Sequence, residues 1–474
     1  MESKIEVLSK EFVRPSFPTP NDKKEFKLSL LDQLVPFPFI PIIFFYQKQP
    51  FNDLKDGDTN FVDPPSKAIL ELNQSLSDCL TKFYPLAGKL SSDLGCVECD
   101  DSGALFVEAK VQCPLSQAVK NAPADESLVR ILGTYPRDEI LLAVQISWFE
   151  CGSICIGVCM SHKIADINSL TTFMNCWADL NRGDRGGGAA SSGCAYKSLS
   201  PNFDLGSHLF PAGDFPIPTG SKVVIPVFNK GEKIVHKRFS FDREKLNTLK
   251  QQMVTKLIKE PTKVEVVTAF IWMQLINVAR VRNHHRRRRP DGDGVDTPPT
   301  TLLINKLWHA VNLRSKVSSL ASALSEGEFP FGNLAFVATA SFTCDDDHNN
   351  GEERDLVCLV RDAIKQVNED YVFKCLVDAC SENQSLDGHQ QEQTTEWTFS
   401  SWCRSSTYQV DFGWGKPTLV APAGKPNTSG AVVLTSRSSD EDEIDAWLTI
   451  SEADLALLSD ELLSLAPTHF FQSN

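Results

Sequence analysis

The chain has 474 residues, of which 42% are hydrophobic and 23% charged, an ordinary globular composition with length for two domains. Its formal net charge of −14 and pI near 5.2 argue against nucleic acid or an anionic membrane as the main partner. The polar start, MESKIEVLSKEFVRP, lacks the apolar core of a secretory signal, and THFFQSN at the other end carries no lipidation or organelle address. A cytoplasmic protein is expected, with most of its 14 cysteines as buried, reduced thiols.

In chain order, KIEVLSKEFV reads as a strand. LVPFPFIPIIFFY holds 13 residues and three prolines, whereas a spanning helix needs about 20 apolar residues, so it is buried strand and turn. The stretch from Pro65 is an amphipathic helix with Ile69, Leu72, Leu76, Leu80 and Phe83 on one face. Cys96 and Cys99 form a lone CxxC; zinc needs four ligands and no second pair matches, so no metal is assigned. GALFVEAKV, ILLAVQISWF and SICIGVCMS follow as strands, the last two joined at ECGS. HKIADINSLTTFMNCWADL is a helix with Leu170, Phe173, Met174, Trp177 and Leu180 on its stripe and Asp166 or Asn168 able to cap it. His162 therefore sits in a short loop between a strand end and a helix start, where reactive side chains are often held.

Residues 183–199 are Gly/Ser-rich but lack the strand–helix context and the GK[ST] or GxGxxG of a phosphate loop, so a surface loop is expected. The proline-rich stretch from Phe210 to Pro226 reads as a linker. In the second half, VHKRFSFDREKLNTLKQQM is a strand and a capped helix, and TKVEVVTAFIWMQLINVARV a strong helix. The arginine run at 286–289 reads as a solvated loop rather than a nuclear address. LLINKLWHAVNLRS, GNLAFVATASF and SGAVVLTSR are expected strands; Glu352–Tyr371 and Ile450–Leu465 are expected helices.

Two short motifs carry the chemistry. In VDFGWGKP, Asp-Phe-Gly looks like a kinase magnesium turn, but no Gly-rich loop, strand lysine or HRD loop precedes it. The alternative is architectural: Gly413 and Gly415 allow tight backbone, and Phe412 and Trp414 anchor it. In HKIAD, His162 titrates near neutral pH and can act as a base; Asp166 can orient it or can cap the helix. A GxSxG nucleophile elbow is absent from the sequence, and the spacing offers no third metal ligand.

Together HxxxD and DFGWG resemble the signature of the plant BAHD acyltransferases, which move acyl groups from acyl-coenzyme A to alcohols or amines. LSLLDQL near the N-terminus, YPLAGKL, VEVVTAFIW, AVNLRSKV, FGNL and SSWCR match as well, and the resemblance covers nearly the whole chain. It implies an α/β fold of two similar-sized mixed-sheet domains, chloramphenicol acetyltransferase-like, with a channel at their interface. The expected division is 1–205, a crossover at 206–230, and 231–474, with 411–424 returning to the first domain. His162 is then the general base, Asp166 its structural support through Arg314, and Ser400 with Trp402 the oxyanion donors. Asp411, Gly413, Trp414 and Gly415 are structural, and Thr268, Asn333 and Ser401 are candidates for coenzyme A contact. Ile167, where the family commonly has glycine, fits its alkaloid-acetylating subgroup. The implied protein is a monomeric O-acyltransferase with acetyl-CoA or another acyl-CoA as co-substrate and a hydroxylated alkaloid or terpenoid as acceptor. Malonyl, benzoyl, tigloyl or hydroxycinnamoyl donors, an amine acceptor, and a non-catalytic binding protein on the same body are the alternatives.

Overall fold

A computed structural model of the chain describes residues 5–35, 39–47, 64–92, 95–120, 131–132, 140–183, 199–212, 232–254, 257–287, 303–344, 352–381, 393–423, 430–437 and 442–465. Its first half builds a sheet from β1 (Ile5–Val13), β2 (Phe39–Tyr46), β3 (Ala104–Val111), β4 (Leu142–Phe149) and β5 (Ile154–Ser161). Its second half builds another from β6 (Ile234–Phe241), β7 (Leu303–Asn312), β8 (Ala335–Cys344), β9 (Gln393–Ser401), β11 (Ala431–Ser436) and β12 (Ile444–Ser451). The short β10 (Leu419–Pro422) leaves the second half and pairs antiparallel with β2. Among the described residues each sheet has six strands, in the orders β1-β3-β4-β5-β2-β10 and β6-β12-β11-β9-β7-β8. Both are mixed: β3/β4, β7/β9 and β9/β11 run parallel and the other neighbours antiparallel.

The run ICIGVCMS is apolar throughout because β5 is covered on both faces. Ile156, Val158 and Met160 face one core while Cys155 and Cys159 face the other side of the sheet. Gly157 is required there, since a Cβ would sit 3.0 Å from the backbone of Leu132.

Two long helices, α2 (Pro64–Lys82) and α3 (Ile167–Arg182), cover the first sheet; α1 (Leu30–Leu34) is a single short turn not foreseen in the sequence. The expected stripes of α2 and α3 are buried in that core, with Leu180 half-buried at its margin. In the second half α4 (Lys263–Arg287) runs through the other core, buried rather than membrane-spanning despite its length and apolarity. Phe203 belongs to the first core and Leu205 to the second, so the chain changes sides between them.

Five expectations change or fall outside the described residues. The helix expected over 352–371 is two, α5 (Glu352–Gln366) and α6 (Glu369–Ser381), because Asn368 accepts from the Tyr371 backbone N–H and starts a new helix. The helix expected from Ile450 is strand to Ser451, then two short helical turns capped by Ser451 and Ser459. The arginine run begins inside α4, which extends to Arg287, and residues 288–302 lie outside the described residues. So do 184–198 of the Gly/Ser-rich segment and 213–230 of the crossover.

Candidate active site

His162 follows β5 directly, at the carboxyl end of the strand, and α3 begins five residues later. The same end of the second sheet supplies its partners. β7 ends at Asn312, β8 starts opposite it at Ala335, and Ser400 pairs with Ala310 near the end of the parallel β9. The connection from 313 to 334, which includes a short helix at Ser318–Ser322 and a short strand at Glu328–Pro330, therefore brings Arg314 and Asn333 to the first half. Ligand sites in open α/β sheets favour the carboxyl ends of strands.

Asn333 fixes the imidazole. Its Nδ2 donates to the His162 carbonyl oxygen at 2.7 Å and to Asp32 Oδ1 at 2.9 Å. Both partners are acceptors, so the amide nitrogen must face them, and Oδ1 faces His162 Nδ1 at 2.9 Å. Nδ1 therefore carries the ring proton and the basic lone pair sits on Nε2. Burial pushes the imidazole below its usual range, opposed by the Asp166 charge and the Asn333 hydrogen bond, so it is neutral at pH 7.

Asp32 supports Asn333 from α1. Its Oδ1 also accepts from the Asn333 backbone N–H at 2.8 Å, and its Oδ2 closes a capping box with Ser29. Burial raises the Asp32 pKa against these hydrogen bonds. Lys163 Nζ donates to the carbonyls of Gln33 (3.2 Å) and Val35 (2.6 Å), tying the histidine loop to the end of the same turn.

Asp166 caps α3 and pairs across the halves with one carboxylate. Oδ1 accepts from Ser169 N at 2.9 Å, and Oδ2 from Leu334 N at 3.1 Å. Arg314 meets both oxygens as a fork, Nη1 to Oδ2 at 2.6 Å and Nη2 to Oδ1 at 3.1 Å. The guanidinium also donates to Ser169 Oγ and the Pro330 and Gly332 carbonyls, and covers the Phe329 ring at 4.9 Å. The pair is almost buried, so removing either charge would leave the other stranded.

Ser400 is half-buried and accepts from Trp402 Nε1 at 3.1 Å. With its lone pair engaged by the indole, the hydroxyl has a proton to offer. The Trp402 ring itself packs in the first core. Ser401 is half-buried at the end of β9. The other two candidates for coenzyme A contact lie deeper. Thr268 is 0% exposed inside the second core, and the Asn333 side chain is buried and fully engaged by His162 and Asp32.

The DFGWG loop lies at the other end of α3. Asp411 Oδ1 accepts from Gly413 N (2.8 Å) and Gly415 N (3.0 Å), and Oδ2 stands 3.7 Å from Arg182. Those glycines have φ of +100° and +90°, which other residues rarely adopt. Asn181 donates to the Phe412 carbonyl, Tyr46 to that of Val410, and Phe412 stacks edge-on against Trp177 at 4.8 Å. Trp414 packs on Tyr46 and Phe412. Each side chain of the motif closes the turn or anchors it.

A positioned base without a nucleophile elbow suits direct transfer between two bound substrates, and the protein is an acyltransferase using acyl-CoA as co-substrate. The Transferase family's sequence profile matches residues 3–464, and the chain belongs to this family, the BAHD acyltransferases. It is 35% identical to stemmadenine O-acetyltransferase of Catharanthus roseus, covering 99% of this chain and 100% of the relative. Vinorine synthase of Rauvolfia serpentina is 34% identical over 99% and 100%. Limonoid 7-O-acetyltransferase of Citrus sinensis is 30% identical over 97% and 98%. The crystal structure of vinorine synthase superposes with a TM-score of 0.75 over 98% of this chain and 100% of that one, at 33% identity.

Proposed function

We propose that the protein transfers an acetyl group from acetyl-CoA to a hydroxyl of a polycyclic plant alkaloid or terpenoid, with His162 as general base. The relatives named above support both halves of this reading: each of the two O-acetyltransferases is named for acetylation, and their acceptors are an alkaloid and a limonoid. The observation that carries the mechanism is the fixed tautomer of His162.

The acceptor oxygen attacks the thioester carbonyl as Nε2 takes its proton. A hydroxyl becomes acidic only as its new C–O bond forms, so a base within hydrogen-bond reach contributes about 10²–10⁴-fold. Charge develops on the carbonyl oxygen, and the Ser400 hydroxyl, held by Trp402, is the donor for it. The C–S bond then breaks, and the imidazolium returns the proton to the leaving thiolate. Asp166 favours the charged imidazole electrostatically while its own bonds hold the loop. No acyl-enzyme forms. We also propose that the protein acts as a monomer in the cytoplasm.

The test is His162→Ala, assayed by free coenzyme A release with acetyl-CoA and a panel of alkaloid and terpenoid alcohols. Turnover should fall by about 10²–10⁴-fold with an unchanged circular dichroism spectrum. Full turnover in the folded variant overturns the mechanism.

A further inference from the structure

The strand that carries Ser400 carries another charged group on the same face, and the mechanism leaves it unused. Along β9, Trp397 and Phe399 face the second core, so Glu396, Thr398 and Ser400 share the opposite face. In register beside them on β7 stand Lys306, Trp308 and Ala310, and all six residues are half-buried. On the other flank Val433 pairs with Ser400 and Trp447 with Val433, and both pack with Ile43, Phe45 and Leu419 of the first sheet. Trp308 joins no apolar cluster among the described residues. The part of this face left uncovered by the first sheet therefore runs from Ser400 along β7 and β9.

Two buried polar atoms on it, Trp308 Nε1 and Glu396 Oε2, have no hydrogen-bond partner among the described residues. Such atoms cost free energy until something completes them. Partial burial raises the Glu396 pKa, and the charge of Lys306, opposite in register, works against that. Trp308 and Glu396 are diagonal neighbours on this face. A carboxylate beside an indole ring suits an organic ammonium, which donates to the one and lies against the other. Glu396 and Ser400 are four residues apart, about 13 Å along a strand. A polycyclic skeleton and a glutamate side chain together fill that span.

We propose that Glu396, with Trp308 beside it, is the subsite for the protonated amine of an alkaloid acceptor, so that basic alkaloid alcohols are preferred over neutral terpenoid alcohols. This rests on the acceptor hydroxyl lying between His162 and Ser400. The ammonium N–H donates to the free carboxylate oxygen while the skeleton lies along Thr398 and Ala310 and its hydroxyl meets His162 Nε2. A neutral terpenoid leaves the carboxylate without a partner. Lys306 opposes the ammonium and weakens the subsite without filling it.

The experiment uses the full chain and polycyclic alcohols bearing a tertiary amine, each matched with the uncharged lactam of the same skeleton. Yohimbine and its lactam are the first pair. Dissociation constants come from titration calorimetry, and KM from coenzyme A release at saturating acetyl-CoA. In the wild type each amine should bind about 10–100-fold tighter than its lactam, the worth of one hydrogen bond to a charged group. Glu396→Gln should abolish that preference by weakening the amine alone, and Lys306→Gln should keep or widen it. Equal affinity for amine and lactam in the wild type, no saturable binding of any amine, or a preference that survives Glu396→Gln overturns the proposal. The wild-type comparison stands even if Glu396→Gln does not fold. Equal acetylation of amine and lactam would remove the ammonium subsite and leave the transferase reading intact; amine-selective binding without coenzyme A release would do the reverse.

Discussion

The loops at the two ends of α3 are built from the same parts and do different work. Asp166 and Asp411 each accept from two backbone N–H groups, and each faces an arginine. Asp411 draws its backbone donors from two and four residues away, within its own turn. Asp166 draws Leu334 and Arg314 from 168 and 148 residues away, in the other half of the chain. A local carboxylate shapes a turn; a long-range one aligns two bodies, and the base sits beside it.

The comparison can be broken by exchanging the expected losses. Asp166→Ala strands Arg314 and uncaps α3, and should cost about 3–5 kcal/mol in denaturant melts. Misplacing the His162 loop should also lower kcat by about 10²-fold. If Asp411→Ala costs as much turnover as Asp166→Ala, the division of labour is wrong. Ser400→Ala should reduce kcat by about 10²-fold or more, with a modest fall in Tm because the Trp402 indole N–H loses its acceptor. A fall in Tm with kcat intact would make Ser400 structural. The smallest effect belongs to the other loop. Gly415→Ala meets a positive φ and should cost about 1 kcal/mol, with kcat within a factor of two.

Much of this frame is legible in the chain. The step from ICIGVCMS to the stripe of Leu170, Phe173, Met174 and Trp177 is a change of hydrophobic period, so the strand–loop–helix placement of His162 follows from local pattern. In the sequence cap and orienter are alternatives for Asp166, yet one carboxylate has enough lone pairs to cap a helix and hold an arginine together. LSLLDQL gives no role for Asp32, because its bond to Asn333 spans 301 residues, beyond any periodic signal; the S-x-x-D of Ser29 to Asp32 marks only the turn. The burial of Thr268 has no signature in the sequence, because α4 is apolar around most of its girth and a hydroxyl on such a helix gives no sign of which side is open.

The pH dependence of kcat/KM tests the central claim most directly. Burial lowers the His162 pKa, so the neutral base persists as pH falls. The profile should stay level past the ordinary imidazole value of about 6.5, then drop tenfold per pH unit below it. An acid limb at or above that value, or one that survives unchanged in His162→Ala, would contradict the assignment of His162 as the base.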